Sequence, residues 1–150
     1  MLYRDERNFH AWAYRLMIRN FMKETIDFDQ ELQFCADKIR ANFANYSAWH
    51  TRSEVLKRKV LTMDSEQVFF QLKHELEWVR QAYYTEPQVE STWIYHEWLL
   101  RGELVRALSE QQRQSVFEYE LDSLQELLEI EPDAKYALLA QARVLVLMHR

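Results

Sequence analysis

Apolar residues recur at three- and four-residue steps along the chain. Leu32, Cys35, Ala36 and Ile39 form one such stripe, and Leu76, Val79, Ala82 and Tyr83 form another. This period puts each set on one face of an α-helix, a face that needs a neighbouring element to cover it. Each stripe belongs to a segment headed by a Glu-Leu pair, at Glu31-Leu32, Glu75-Leu76 and Glu120-Leu121. A second kind of helix follows, marked by Asn, Trp and Arg at i, i+4 and i+7, so that Asn8, Trp12 and Arg15 share a face, as do Asn45, Trp49 and Arg52. Asn8 and Asn45 suit N-caps, because an Asn side chain accepts from unpaired first-turn amides. The third copy is looser, with Ser91-Thr92-Trp93-Ile94-Tyr95-His96.

The spacing is periodic. Glu31 precedes Trp49 by 18 residues (49 − 31), Glu75 precedes Trp93 by 18 (93 − 75), and the same step from Glu120 reaches Leu138 (138 − 120). A fixed internal period is the mark of a repeat protein. The Glu-Leu helix (B) and the Trp helix (A) are joined by a corner of constant length. The return from A to B varies and is polar, which predicts loops or longer helices there. Pro87 and Pro132 stand between a B helix and the next A helix, where a missing amide hydrogen is tolerated. The lone Gly102 follows Trp98-Leu99-Leu100, where a left-handed helix end is expected. At the C-terminal side Leu138 replaces Trp, and Ala134-Lys135-Tyr136 replaces the Asn-led motif, as in a degenerate repeat. The expected fold is all-α, a right-handed α-α superhelix (solenoid) of helical hairpins. Residues 1–150 form one domain of about three and a half helix pairs. The first A helix has no complete B helix before it, so N-terminal repeats are expected to be missing from this sequence.

Composition supports this class. The chain is 48% hydrophobic with 14% aromatics, enough for a core, while one Gly and two Pro leave little material for a many-stranded β fold. Net charge is −5 with Lys and Arg scattered among acids, which argues against a nucleic-acid partner. The sequence shows neither a membrane span nor a signal peptide, and the single Cys35 sits among apolar neighbours as a structural thiol, so a cytoplasmic location is expected.

Candidate chemistry is sparse. His10, His50, His74, His96 and His149 show no ligand spacing, so no metal is expected on this chain. One Gly cannot build a phosphate loop or a nucleophile elbow. Trp12, Trp49 and Trp93 read as core. His10, Tyr46, His50, Tyr95 and His96 lie near the starts of A helices, where either a partner-facing role or simple packing fits. Arg15 and Arg52 are suited to tying adjacent helices through carbonyls or acids, with substrate contact as the second reading.

The runs Asn8-x-x-x-Trp12-x-x-Arg15 and Asn45-Tyr46-Ser47-Ala48-Trp49-His50-x-Arg52 resemble the α-subunit repeat of protein prenyltransferases. Within that family, Asp5-Glu6-Arg7-Asn8-Phe9-His10, Trp93-x-Tyr95-His96-x-Trp98-Leu99-Leu100 and Glu129-Ile130-Glu131-Pro132-Asp133 are most similar to the type II (Rab) geranylgeranyltransferase α subunits. The resemblance implies a crescent wrapped around a separate β subunit that holds zinc and most of the isoprenoid diphosphate. It implies transfer of geranylgeranyl to C-terminal cysteines of Rab GTPases presented by a Rab escort protein. No cofactor is expected on this chain. Asn8, Phe9, His10, Arg15, Asn45, Tyr46, His50, Arg52, Tyr95 and His96 become candidates for facing the β subunit or substrate, with no catalytic residue in this chain alone. Three departures stand out. The family's Lys-led repeat would precede Asn8, so the chain alone is expected to be inactive. Glu97 replaces the usual Arg after Tyr-His, so local ion pairing should differ. Only Arg101 to Ser115 fills the place where the mammalian-type subunit inserts an immunoglobulin-like domain, which implies the compact kind. The alternatives are the shared α subunit of farnesyltransferase and type I geranylgeranyltransferase, and a non-catalytic helical-repeat scaffold that binds protein.

Overall fold

The structure is a computed structural model and describes Arg15, Met17 and residues 27–150. Arg15 and Met17 are helical, and among the described residues 27–150 seven α-helices follow in order, α1 (Phe28–Ala41), α2 (Tyr46–Lys59), α3 (Ser65–Thr85), α4 (Glu90–Arg101), α5 (Glu103–Arg106), α6 (Glu110–Ile130) and α7 (Lys135–Met148), with a 3-10 turn at Val60–Thr62. No strand occurs among the described residues. The B helices are α1, α3 and α6, and the A helices are α2, α4 and α7. Each B helix packs on the A helix that follows it, α2 packs on α4 and α4 on α7, and α3 packs on α6. The result is a two-layer α-α superhelix in which each stripe is covered by its own partner and by the next repeat. One core cluster runs from Leu32 to Val144.

The constant corner has a structural cause. Residues 42–45, 86–89 and 131–134 each close a four-residue turn, through Asn45 N–H to the Asn42 carbonyl (3.0 Å), Val89 N–H to Glu86 (3.2 Å) and Ala134 N–H to Glu131 (3.1 Å). The repeat Trp clamps its own corner from within the next helix: Trp49 Nε1 donates to the Phe43 carbonyl (2.9 Å) and Trp93 Nε1 to the Pro87 carbonyl (2.7 Å). Both indoles reach the second corner residue, so moving Trp by one position would break the bond as well as the packing. Ser91 Oγ donates to the same Phe43 carbonyl (3.1 Å), which ties the second repeat to the first corner. Leu138 has no indole to repeat the clamp and is 47% exposed.

Two sequence expectations are corrected here. The Glu-Leu pair opens α1 but lies in the middle of α3 and α6, because those helices start earlier than their apolar stripes suggest. Asp64 and Ser109 cap them, each with a reciprocal bond from the Gln three residues on, Gln67 and Gln112. The polar return segments are therefore largely helix. Gly102 does not adopt the left-handed conformation, having φ −87° and ψ −160°. It is required by crowding instead: a Cβ there would stand 2.6 Å from the Trp98 carbonyl oxygen.

The aromatic core alternates in size between repeats. Phe34, Trp78 and Ser123 occupy the same place in α1, α3 and α6. Trp78 meets Trp49 edge-on with centroids 6.5 Å apart. The small Ser123 leaves room for Tyr83 and Tyr84, whose hydroxyls reach Ser123 Oγ (2.8 Å) and the Ser123 carbonyl (2.7 Å). Trp93 stacks flat on Tyr83 at 4.7 Å.

Candidate functional site

Two features recur with the repeat, namely a buried acid at each junction between hairpins and an outward face along the row of A helices. The acids Glu31, Glu75 and Glu120 are buried. Each faces the residue three positions after the preceding repeat's Trp. Arg15 Nη2 donates to Glu31 Oε1 (3.2 Å), and Arg52 grips Glu75 with two 2.7 Å bonds from Nε and Nη2. At the third junction His96 stands in the arginine position, with Nε2 3.0 Å from Glu120 Oε2. An ionised carboxylate only accepts, so Nε2 is the donor of this bond. A single imidazole nitrogen cannot fork as a guanidinium does. Arg80, from α3, supplies the missing donor at 2.7 Å to Glu120 Oε1.

The middle joint is the most densely bonded. Arg52 also donates to the Leu32 carbonyl (2.7 Å), and Glu75 also accepts from Tyr95 Oη (2.7 Å) and Gln71 (3.0 Å). Burial disfavours the charge on Arg52, yet the charge and hydrogen bonds of Glu75 outweigh it and hold its guanidinium above its ordinary value. Burial would raise the Glu120 carboxyl, but the hydrogen bond and charge of His96, followed by those of Arg80, hold it below its ordinary 4.5. Burial and the neighbouring Glu75 push the Tyr95 phenol well up. Burial likewise pushes the Cys35 thiol up to about 12, in keeping with a structural thiol.

The sequence candidates therefore divide. Asn8, Phe9, His10 and Trp12 lie outside the described residues. Asn45, Arg52, Tyr95 and His96 are buried, so Asn45 keeps its capping role, Arg52 its reading as a tie between helices, and Tyr95 and His96 take the packing reading. Asn45 is the N-cap of α2, its side chain accepting from Ala48 N–H (3.1 Å), and the other three are spent on the joints. Arg15 is half-buried over the Phe34 ring at 4.1 Å and ties helices as its first reading held. Tyr46 and His50 are exposed, with rings stacked at 5.9 Å. Trp49 and Trp93 are core. Glu97 pairs with Arg101 (2.8 Å) and Arg143 (3.1 Å).

Tyr46 and His50 open a shallow groove of about 190 Å³ between α2 and α4, which Ile94 and Trp98 continue. Ile94 and Trp98 were not singled out from sequence. The repeat offset marks them, since Ile94 occupies in α4 the place of His50 in α2. Among the described residues no group of three or more His, Cys, Asp or Glu side chains is placed to hold a metal ion, and no helix is long and apolar enough to cross a membrane.

Fold and joints together define an α-α repeat protein with locked hairpins and one outward helix row. Residues 28–59 match the family described as protein prenyltransferase alpha subunit repeat. The chain is similar to the geranylgeranyl transferase type-2 subunit alpha of Sus scrofa, at 41% identity over 103 residues that cover 64% of this chain and 17% of the relative. It is similar to the subunits of the same name from Schizosaccharomyces pombe (28% identity, 91% of this chain, 44% of the relative) and Saccharomyces cerevisiae (28% identity, 75% of this chain, 36% of the relative). Residues 28–59 thus match that repeat, and the chain spans less than half of the length of the type-2 α subunits to which it is similar.

Proposed function

We propose that this chain acts as the α subunit, or part of it, of a type II protein geranylgeranyltransferase. In this reading it assembles with a β subunit in the cytoplasm and supports transfer of geranylgeranyl from its diphosphate to C-terminal cysteines of Rab GTPases presented by an escort protein. The observation that carries the reading is the combination of likeness to type-2 α subunits with a row of A helices whose outward residues Tyr46, His50, Ile94, Leu139 and Val146 are exposed among the described residues. Buried ion pairs at the joints fix the hairpins relative to one another, and a pre-ordered surface binds with less entropic cost of ordering. The zinc of the reaction belongs to the β subunit, and this chain contributes shape and polar contacts at the edge of the site. Alone it is inactive. Co-expression with a type-2 β subunit, followed by a geranylgeranyl transfer assay on a Rab with its escort protein, tests the reading. Transfer that depends on this chain is the expected result, and a stable complex without transfer would remove the catalytic part of the proposal.

A further inference from the structure

The last A helix, α7, has two exposed apolar faces of different kinds. Leu138 sits in the place of Trp49 and Trp93, which are buried in their own repeats, so its side of the helix is the one that a following hairpin covers in this architecture. Leu139 and Val146 are another matter. Their places are held by His50 and Lys57 in α2 and by Ile94 and Arg101 in α4, and none of these four is buried. Leu139 and Val146 therefore lie on the outward row, which repeat packing leaves open, and they are 45% and 56% exposed.

Along that row the chemistry changes from one repeat to the next. On α2 it is polar and aromatic (Tyr46, His50), on α4 it is mixed (Ile94, Trp98), and on α7 it is apolar. At this end a groove of about 230 Å³ has Leu139, Ala142, Val146 and Leu147 as its lining and Arg101 and Arg143 on its rim. Both arginines lean on one carboxylate, Glu97, at 2.8 and 3.1 Å. Two guanidiniums against one carboxylate leave the rim positive, in a chain whose net charge is −5. An apolar floor with an unbalanced cationic rim is complementary to an apolar segment that carries carboxylates. Leu139 and Val146 lie two helical turns apart on α7, a separation that anchors at i and i+7 of a second helix match.

We propose that this groove docks an acidic amphipathic helix of the partner β subunit, with apolar anchors seated between Leu139 and Val146 and carboxylates on Arg101 and Arg143. The proposal rests on the subunit reading above and assigns one end of its interface. The test is calorimetric titration of the full chain with a type-2 β subunit, using Val146→Asp, Arg143→Glu and Arg143→Lys. Lys73→Glu, on the exposed side of α3 in the other layer, repeats the same charge change as a control. Val146→Asp and Arg143→Glu should each weaken binding about tenfold or more, the latter with a reduced salt dependence, while Arg143→Lys and Lys73→Glu stay within about threefold of wild type. Wild-type binding that Val146→Asp and Arg143→Glu leave unchanged overturns the groove and leaves the subunit reading standing. No binding by the wild type overturns both.

Discussion

Arg52 of α2 and Glu75 of α3 meet through two parallel 2.7 Å bonds, both side chains buried, across the junction between the first and second hairpins. The pair orients one repeat on the next because a guanidinium fork accepts a carboxylate in one plane only. Removing one member strands the other. Arg52→Met should cost about 3–5 kcal/mol in urea unfolding, whereas Arg52→Met with Glu75→Leu should cost less than the sum of the two single changes. Additive costs would show that the two residues act independently.

Trp49 has a packing role and a bonding role that can be separated. Trp49→Ala opens the core and should cost about 3–5 kcal/mol. Trp49→Phe keeps most of the ring but leaves the Phe43 carbonyl without its indole donor, and should cost less, with Ser91 retaining its own bond to that oxygen. An unchanged melting temperature for Trp49→Ala would contradict its placement in the core.

Glu120 fixes a pH dependence with a definite sign. Its carboxyl is held below 4.5 in the folded state. Its contribution is therefore present above the ordinary carboxylate range and is lost as pH falls through the lowered value. Glu120→Gln should be less stable than wild type at pH 7, and the gap between the two should narrow under acid. A constant gap from pH 7 down to pH 3 would show that Glu120 does not titrate in this way.

Cys35 should be inert while the chain is folded. With its thiol pushed up to about 12, the thiolate fraction at pH 8 is roughly one in ten thousand, and burial blocks access as well. Alkylation by iodoacetamide should follow unfolding in denaturant and be negligible before it.

Tyr46 and His50 are exposed and stacked on each other, so either change to Ala should leave stability within about 0.5 kcal/mol. Binding to a type-2 β subunit should weaken. Equal affinity in both variants would remove this end of the row from the interface.

Much of the architecture was legible because it is local. The stripes of Leu32 to Ile39 and Leu76 to Tyr83, the Asn45 cap and the fixed Glu-to-Trp step each depend on neighbours in sequence, and each is present in the structure. The true length of α3 and α6 was hidden in polar runs, although Asp64-x-x-Gln67 and Ser109-x-x-Gln112 carried the start signal. The candidate site was read less well. For Tyr95 and His96, beside Trp93, the sequence leaves a partner-facing role and packing both open, and only the arrival of Glu75 and Glu120 from other helices decides for packing. Periodicity places a residue on a helix face but does not say which face a later repeat will cover. Leu138 and Leu139, adjacent in sequence and opposite in role, make the same point.

The most direct test of the account is the composition of the particle formed when this chain is purified together with a type-2 geranylgeranyltransferase β subunit, measured as mass by sedimentation or light scattering. A single species with one copy of each chain, weakened by Val146→Asp and by Tyr46→Ala while the joints remain intact, is the predicted result; two separate species at micromolar concentration would contradict the assignment of the A-helix row as a subunit interface.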